Sequence, residues 1–527
     1  MNSNANQKQE LIFVYGHGGT GKTFLWKTLT IALRAEGKIV LAVASSGIAS
    51  LLLPSGQTAH SRFRIPIDIT DESVCNIKKK THMATLLRKT ELIIWDEVPM
   101  NDRKCLEALD RTLRDIFEKA DTPFGGLSFV LGGDFRQTLP VIKGCGKVEI
   151  LDASITHSPL WNHFHIITLE ENMRLQQPNL SEIDKENIRL FANRLLQIGN
   201  GTIGEPDECD PHNTSWVKIP NQYCIRDDED GLTNLISFIY SDKLLCHPNP
   251  LQLQQQAIVC PKNETADAIN EAILIRIEKE SKTYTSYDSA TPYSNDGGQI
   301  DLLYPMEYLN SQNFPNLPPH QLTLKIGIPV ILLRNLNIAG GLCNGTRMIT
   351  TQLLSQHIEA KIITGTRIGQ KVYLPRISLI YMDNVLPYVF KRVQFPIKVS
   401  YAMTINKSQD QSLNKIGVYL PKPIFGHGQL YVALSRATTP HGLKILIKKQ
   451  EGRDHNVTKN INFNDECRME HETEVVPIST LRPGDRLKAI EVIVYRQWVI
   501  KRPKSRKPAG FCTLLLDIHI SFIQNLQ

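Results

Sequence analysis

The stretch Gly16 to Thr23, GHGGTGKT, follows the apolar run LIFVY and leads into KTFLWKTLTIALRAEGK. It fits G-x-x-x-x-G-K-[ST], the phosphate-binding loop. Glycine in a structured element costs backbone entropy, so Gly16, Gly18, Gly19 and Gly21 need a purpose. That purpose is a turn from strand to helix whose bare N–H groups face inward and cradle phosphate oxygens. A strand over Leu11 to Tyr15 and a helix breaking near Gly37 supply the required context. The chain is thereby confined to α/β folds with a parallel sheet. Gly16, Gly18, Gly19, Thr20, Gly21, Lys22 and Thr23 form the expected nucleotide cradle. Lys22 is placed to reach the β- and γ-phosphates, and the Thr23 hydroxyl to hold Mg²⁺.

Two further strands end in polar tips. ELIIWDEVPM places four apolar residues before Asp96 and Glu97. Ligands of open α/β sheets gather at the carboxyl ends of the strands. Asp96 is expected to support the ion held by Thr23, and Glu97 to polarise an attacking water as general base. Paired acids favour an NTP hydrolase over a P-loop kinase or a simple binder. LSFVLGGDFRQTLPV breaks at Gly132 and Gly133, and Gln137 is placed to sense the γ-phosphate. Three such strand-and-tip units describe a RecA-like parallel sheet.

The 527 residues suffice for about two to four domains, and 41% apolar content excludes a wholly disordered chain. A net charge of +7 is compatible with a polyanionic partner without demonstrating one. The ten cysteines contain no C-x-x-C and no zinc spacing, so free thiols in a reducing compartment are expected. The first ten residues carry no apolar signal, and no run reaches the roughly eighteen residues of a membrane span. A soluble intracellular protein is predicted.

The order of motifs then carries a resemblance. GHGGTGKTFLW, VASSGIASLLLPSGQTAHSRFRIPI, IIWDEVPM, LGGDFRQTLPVI and ENMRL are followed by LPPHQLTLKIGIPVILLRNLNIAGGLCNGTRMI, QFPIKVSYAMTINKSQDQSL and GQLYVALSRATTPHGLKILI. Over residues 11 to 465 the chain resembles the Pif-type (petite integration frequency) DNA helicases, RecD-related members of superfamily 1B. The resemblance implies two RecA-like P-loop NTPase domains with ATP and Mg²⁺ between them, and single-stranded DNA gripped across both. It also implies 5′-to-3′ movement and unwinding of duplexes, forks and G-quadruplexes. Arg174 of ENMR and Arg436 of ALSR look like the arginines that reach the γ-phosphate across the cleft.

DNA-contact candidates are Ser45, Ser46 and Thr58, whose hydroxyls suit phosphate; His60 and Phe63, which suit base stacking; and Thr404 and Lys407 in the second domain. Phe63 has an equally ready alternative as a packed residue. Between about 324 and 395 strand-like runs alternate with turns, with Asn344-Gly345 as a hairpin signal; this looks like a small SH3-like β insertion. CPKNETADAINEAILIRI reads as a strand end and a helix, and YSDKLLCHPNPLQLQQQ as a loop. Where relatives carry glycine in NKSQGQ, this chain has Asp410. Aspartate tolerates a left-handed conformation, but its charge beside phosphate is expected to loosen the grip on DNA.

The two ends depart from the pattern. Family members carry an upstream glutamine that reads adenine; only ten residues precede the first strand here, and Gln7 and Gln9 are too close to it to serve. An N-terminally shortened chain is expected. After residue 465, VVPISTLRPGDRLKAIEVIVYRQWVIKRPKSRKPAGFCTLLLDI resembles the first strands of an OB-fold of the plant replication protein A type, too short to close. The expected organisation is thus a first RecA-like domain over 1–168, a second over 169–465 containing the β insertion, and a linker with a truncated OB-like segment over 466–527. The leading reading is a 5′-to-3′ DNA helicase serving repair, recombination or telomere maintenance in the nucleus, with a mitochondrial pool as a further option. Its rivals are a DNA-stimulated ATPase or decayed transposon-derived copy that does not unwind, and a non-catalytic single-strand binder.

Overall fold

The computed structural model describes residues 9–463, apart from positions 143, 177–180, 293–303, 366, 383–385 and 450–451. The OB-like segment, Gln7 and the side chain of Arg174 lie outside the described residues. All described elements belong to one compact unit within residues 1–474.

Near-continuous apolar runs such as LIFVYG, IVLAVA and TELIIWD form strands because both faces of a parallel sheet are covered. Those strands are β1 (Leu11–Gly16), β2 (Ile39–Ala44), β3 (Gln57–Thr58), β4 (Thr90–Asp96), β5 (Ser128–Gly133) and β6 (His165–Leu169). They pair in the order β3-β2-β4-β5-β1-β6, every pair parallel. The expected polar tips therefore share one edge of the sheet. Helix α1 (Lys22–Ala35) packs so tightly over β5 that a Cβ at Gly132 would lie 2.4 Å from the Trp26 ring. Any side chain there would push α1, and the phosphate loop that starts it, off the sheet.

A second parallel sheet is built from β7 (Cys224–Ile225), β8 (Gln256–Cys260), β9 (Ala402–Thr404), β10 (Lys415–Leu420) and β11 (Leu443–Ile447), in the order β9-β8-β10-β11-β7. Its core joins Val259, Val418 and Ile445 to Phe191 and Leu195 of the helix Glu182–Asn200. Between β8 and β9 the chain leaves for a set of antiparallel sheets. Five strands pair in the spatial order Lys371–Pro375, His357–Ile362, Arg347–Leu353, Pro329–Leu332 and Ile397–Val399. Strands from upstream of residue 324 also contribute: Ser281–Thr285 pairs with Gln321–Lys325, and Tyr287–Pro292 with Tyr388–Gln394. The Asn344-Gly345 turn lies at the foot of the long connection between Pro329–Leu332 and Arg347–Leu353, with Gly345 in the left-handed region.

The stretch expected as a loop, Tyr240 to Gln256, instead holds two short helices, Asp242–Cys246 and Pro250–Gln254. Each has a cap: the Ser241 hydroxyl accepts from Leu244 N–H, and the Asn249 side chain accepts from Leu251 and Gln252. Pro250 at the first helical position fits, since its missing N–H would have no partner there. Among the described residues no helix is long and apolar enough to cross a membrane.

Candidate active site

The loop between β1 and α1 closes around left-handed glycines, Gly19 at φ 97° and Gly21 at φ 92°. Residues with a Cβ rarely adopt that conformation. The Thr20 hydroxyl donates to His17 O at 2.9 Å and fixes the turn. A cavity of about 280 Å³ opens over this loop, lined by Gly18, Gly19, Gly21, Lys22, Thr23, Asp96, Glu97, Gln137, Asp410 and Arg436, among others. Lys22, only 7% exposed, donates to the carbonyl of Gly16. The sequence-predicted residues Lys22, Thr23, Asp96, Glu97 and Gln137 thus meet in one cavity, joined by Arg436 from the second sheet's domain.

Asp96 ends β4, and Glu97 follows at φ 55°. This left-handed step is unusual for a residue with a Cβ and turns the chain sharply at the sheet edge. Glu97 N–H donates to Asp96 Oδ1 at 3.1 Å. Burial, with the negative charges of Asp410, Asp96 and Asp134 around it, holds Glu97 well above the usual carboxylate range, while Lys22 pulls it down. Burial likewise raises Asp96 against the pull of Lys22. A raised proton affinity suits a base that must take a proton from water. Glu97→Gln is expected to retain nucleotide binding and to lower kcat at least about a hundredfold; single-turnover hydrolysis measures it, and parent-level turnover would remove Glu97 from the role.

The donor set fits a nucleotide with its metal. Gln137 Oε1 is buried without a hydrogen-bond partner at the cavity wall, and a buried polar atom left unpaired costs about 1–3 kcal/mol unless a ligand or water meets it. Thr23 and Asp96 offer the hard oxygen donors that Mg²⁺ takes beside phosphates. When bound, the ion would neutralise phosphate charge.

Arg436 closes the helix Gln429–Ser435 and is 6% exposed. Its guanidinium donates to Val432 O, Gln411 O and Ser435 Oγ. Asp410 adopts φ 64° and accepts from the Ser46 hydroxyl at 2.9 Å, bridging the two sheets' domains. Burial raises Asp410, opposed by Arg436, Ser46 and Lys22. The sequence left this position beside either DNA or the ATP cleft; the structure lines the nucleotide cavity with it.

Further links cross the same joint. Tyr431 donates to Asp134 Oδ2 at 3.0 Å, and Thr138 donates to Gln409 Oε1 at 2.7 Å. His427 Nδ1 accepts from Phe463 N–H, so Nε2 carries the proton and donates to Phe135 O at 2.7 Å. Sequence reasoning passed over Asp134, His427, Gln409 and Tyr431 as site residues. They meet only when the two domains dock, and no local periodicity marks them.

Burial pushes His427 down to about 4. The unfolded chain, near 6.5, takes the proton first as pH falls. Stability from this residue is therefore complete above about pH 6.5 and is lost toward pH 4, about 3 kcal/mol in all. His427→Gln keeps a donor and an acceptor without a titrating proton. Its unfolding free energy should fall less than the parent's between pH 7.5 and 4.5 in urea titrations; parallel losses would contradict this.

The DNA candidates divide. Phe63 is fully buried and packs near Trp95, with ring centroids 6.2 Å apart, so it is a core residue and not a stacking platform. Its helix is five residues long, and sequence alone did not show which side faced inward. Ser45 accepts from Trp95 Nε1 at 3.2 Å. Ser46 and Thr58 cap the helices Gly47–Leu52 and Ala59–Phe63. His60 is partly buried near Cys105, Thr404 ends β9, and Lys407 is half-buried, with burial lowering its proton affinity. Gln9 donates to Pro123 O and Leu127 O, and it precedes β1 at the end opposite the phosphate loop.

Residues 1–209 match the family model described as PIF1-like helicase, and residues 307–353 match that of the DNA helicase Pif1 2B domain. Over these stretches the chain is similar to PIF1-like helicases. The relatives it matches are named as ATP-dependent DNA helicases. The ATP-dependent DNA helicase Pif1 of Campylobacter jejuni is 27% identical over 455 residues, covering 83% of this chain and 89% of that one. The Xenopus laevis relative is 25% identical over 436 residues and the human one 24% over 443, each with 58% of its own length covered. The chain thus spans less than two thirds of these vertebrate relatives. Among solved structures, Bacteroides Pif1 bound to single-stranded DNA is similar, with a TM-score of 0.56, 26% identity, and 83% of this chain and 88% of that one covered.

Proposed function

We propose that this chain is a PIF1-like helicase that couples ATP hydrolysis to 5′-to-3′ movement along single-stranded DNA and unwinds duplex, fork or G-quadruplex DNA. The observation that carries the reading is the cavity in which Lys22, Asp96, Glu97 and Gln137 of one domain face Arg436 of the other. A nucleotide there touches both domains, so loss of its γ-phosphate changes how they dock. Phe135 and Asp134, on the segment that ends in Gln137, already bond to His427 and Tyr431 across the joint. We assign residues 1–168 and 169–465 to the two RecA-like domains. Arg174 is proposed as a second arginine for the γ-phosphate. Ser45, Ser46, Thr58, His60, Thr404 and Lys407 are proposed as the DNA-facing set, the caps among them presenting backbone and hydroxyl groups together.

Work in repair, recombination or telomere maintenance accords with the family. A nuclear address rests on the basic run Lys501 to Lys507, and a plant-type lineage on the OB-like sequence after residue 466. One observation favours a second reading: the Asp410 carboxylate in the cavity suits an ATPase too slow to unwind productively. Strand displacement on duplexes with a 5′ or a 3′ single-stranded tail separates the readings. Unwinding of the 5′-tailed substrate alone is expected; DNA-stimulated hydrolysis without displacement would establish the slower ATPase.

A further inference from the structure

We infer that Asp410 is a built-in competitor of the γ-phosphate: a carboxylate from the second domain that shares the cavity with the phosphate-binding groups and that ATP must displace. The inference rests on reading this cavity as the ATP site. Three observations carry it. Asp410 lines the same cavity as Lys22 and Arg436, the two cations placed to meet phosphate. It is held there by the Ser46 hydroxyl, which simultaneously accepts from Ala49 N–H and caps the helix Gly47–Leu52. It stands on a backbone at φ 64°, where glycine would make the same turn with no side chain at all.

The groups around it divide by sign. Lys22 and Arg436 attract the carboxylate, Ser46 donates to it, and it raises the proton affinity of Glu97 and Asp96. An incoming γ-phosphate needs the same two cations and is repelled by the same carboxylate. The competing anion therefore reduces the fraction of protein ready for a triphosphate, and the apparent dissociation constant rises by that fraction. ADP lacks the group that Asp410 competes with, so it escapes most of the penalty. The carboxylate thus discriminates against ATP relative to ADP, and its link to Ser46 holds the two domains together before nucleotide arrives.

The test is equilibrium binding of the slowly hydrolysed analogue AMP-PNP and of ADP to the full chain, to Asp410→Asn and to Asp410→Gly. Asparagine keeps an acceptor for Ser46 and accepts the left-handed turn, but carries no charge. Both variants should bind AMP-PNP at least about tenfold more tightly than the parent, with ADP changing by less than about threefold, since a charge repulsion at contact distance supports a tenfold effect. An unchanged AMP-PNP affinity in Asp410→Asn overturns the inference while leaving the ATP site in place. So does an equal gain for ADP, or a gain in the glycine variant alone, which would point to backbone strain. If the parent and both variants bind neither nucleotide, the assignment of the cavity falls, and the inference with it.

Discussion

Replacing Lys22 with alanine abolishes ATP hydrolysis, lowering kcat/KM by at least about a thousandfold, as expected for a preorganised charge aimed at a transferring phosphoryl group. Lys22 follows the left-handed Gly21 at the start of α1 and is almost fully buried at the cavity wall. It lowers the proton affinity of Asp96, Glu97 and Asp410 together, so it is the counter-charge shared by three carboxylates. Without it those acids repel both one another and the incoming triphosphate. The fold should persist, because the sheet beneath is held by Phe13, Ile93, Trp95 and Phe129. Circular dichroism and melting report the fold; steady-state hydrolysis reports the site. A folded alanine variant within tenfold of the parent rate would exclude Lys22 from catalysis.

The second large effect lies across the cleft. Arg436→Ala is expected to lower kcat about a thousandfold while changing nucleotide affinity far less, since an arginine facing the γ-phosphate acts mainly on charge developing in the transition state. The guanidinium is held by three acceptors of its own domain. These fix its position before nucleotide arrives, so little ordering remains to oppose catalysis. Arg436→Lys keeps charge without the planar fork and should recover only part of the rate. Separate kcat and KM values decide: a raised KM with unchanged kcat would make Arg436 a uniform binding contact.

The first domain's chemistry was legible because it is contiguous. A phosphate loop, two acids and a glutamine each follow an apolar strand, and parallel pairing sets all three tips on one edge. What the sequence obscured depends on docking or on facing. Asp410 lies more than three hundred residues from Ser46 in the chain, and only their meeting across the cleft shows that the carboxylate lines the nucleotide cavity. Phe63 follows His60 by three positions on a short helix, and its inward turn against Trp95 depends on β4 beneath it. The helices at Asp242–Cys246 and Pro250–Gln254 were hidden by their brevity and by Pro248 between them, although Ser241 and Asn249 are ordinary caps. The strands at Ser281–Pro292 carry little apolar alternation and find partners only downstream of residue 320.

The central claim is that hydrolysis in this cavity is coupled to single-stranded DNA held by the same two domains. Its most direct test is the steady-state ATPase rate of the full chain at saturating ATP and Mg²⁺, with and without an unstructured single-stranded oligonucleotide. The account predicts stimulation by about tenfold or more, in the usual range for energetic coupling between two sites, and none in Lys22→Ala. A robust ATPase whose rate is the same with and without DNA would contradict it.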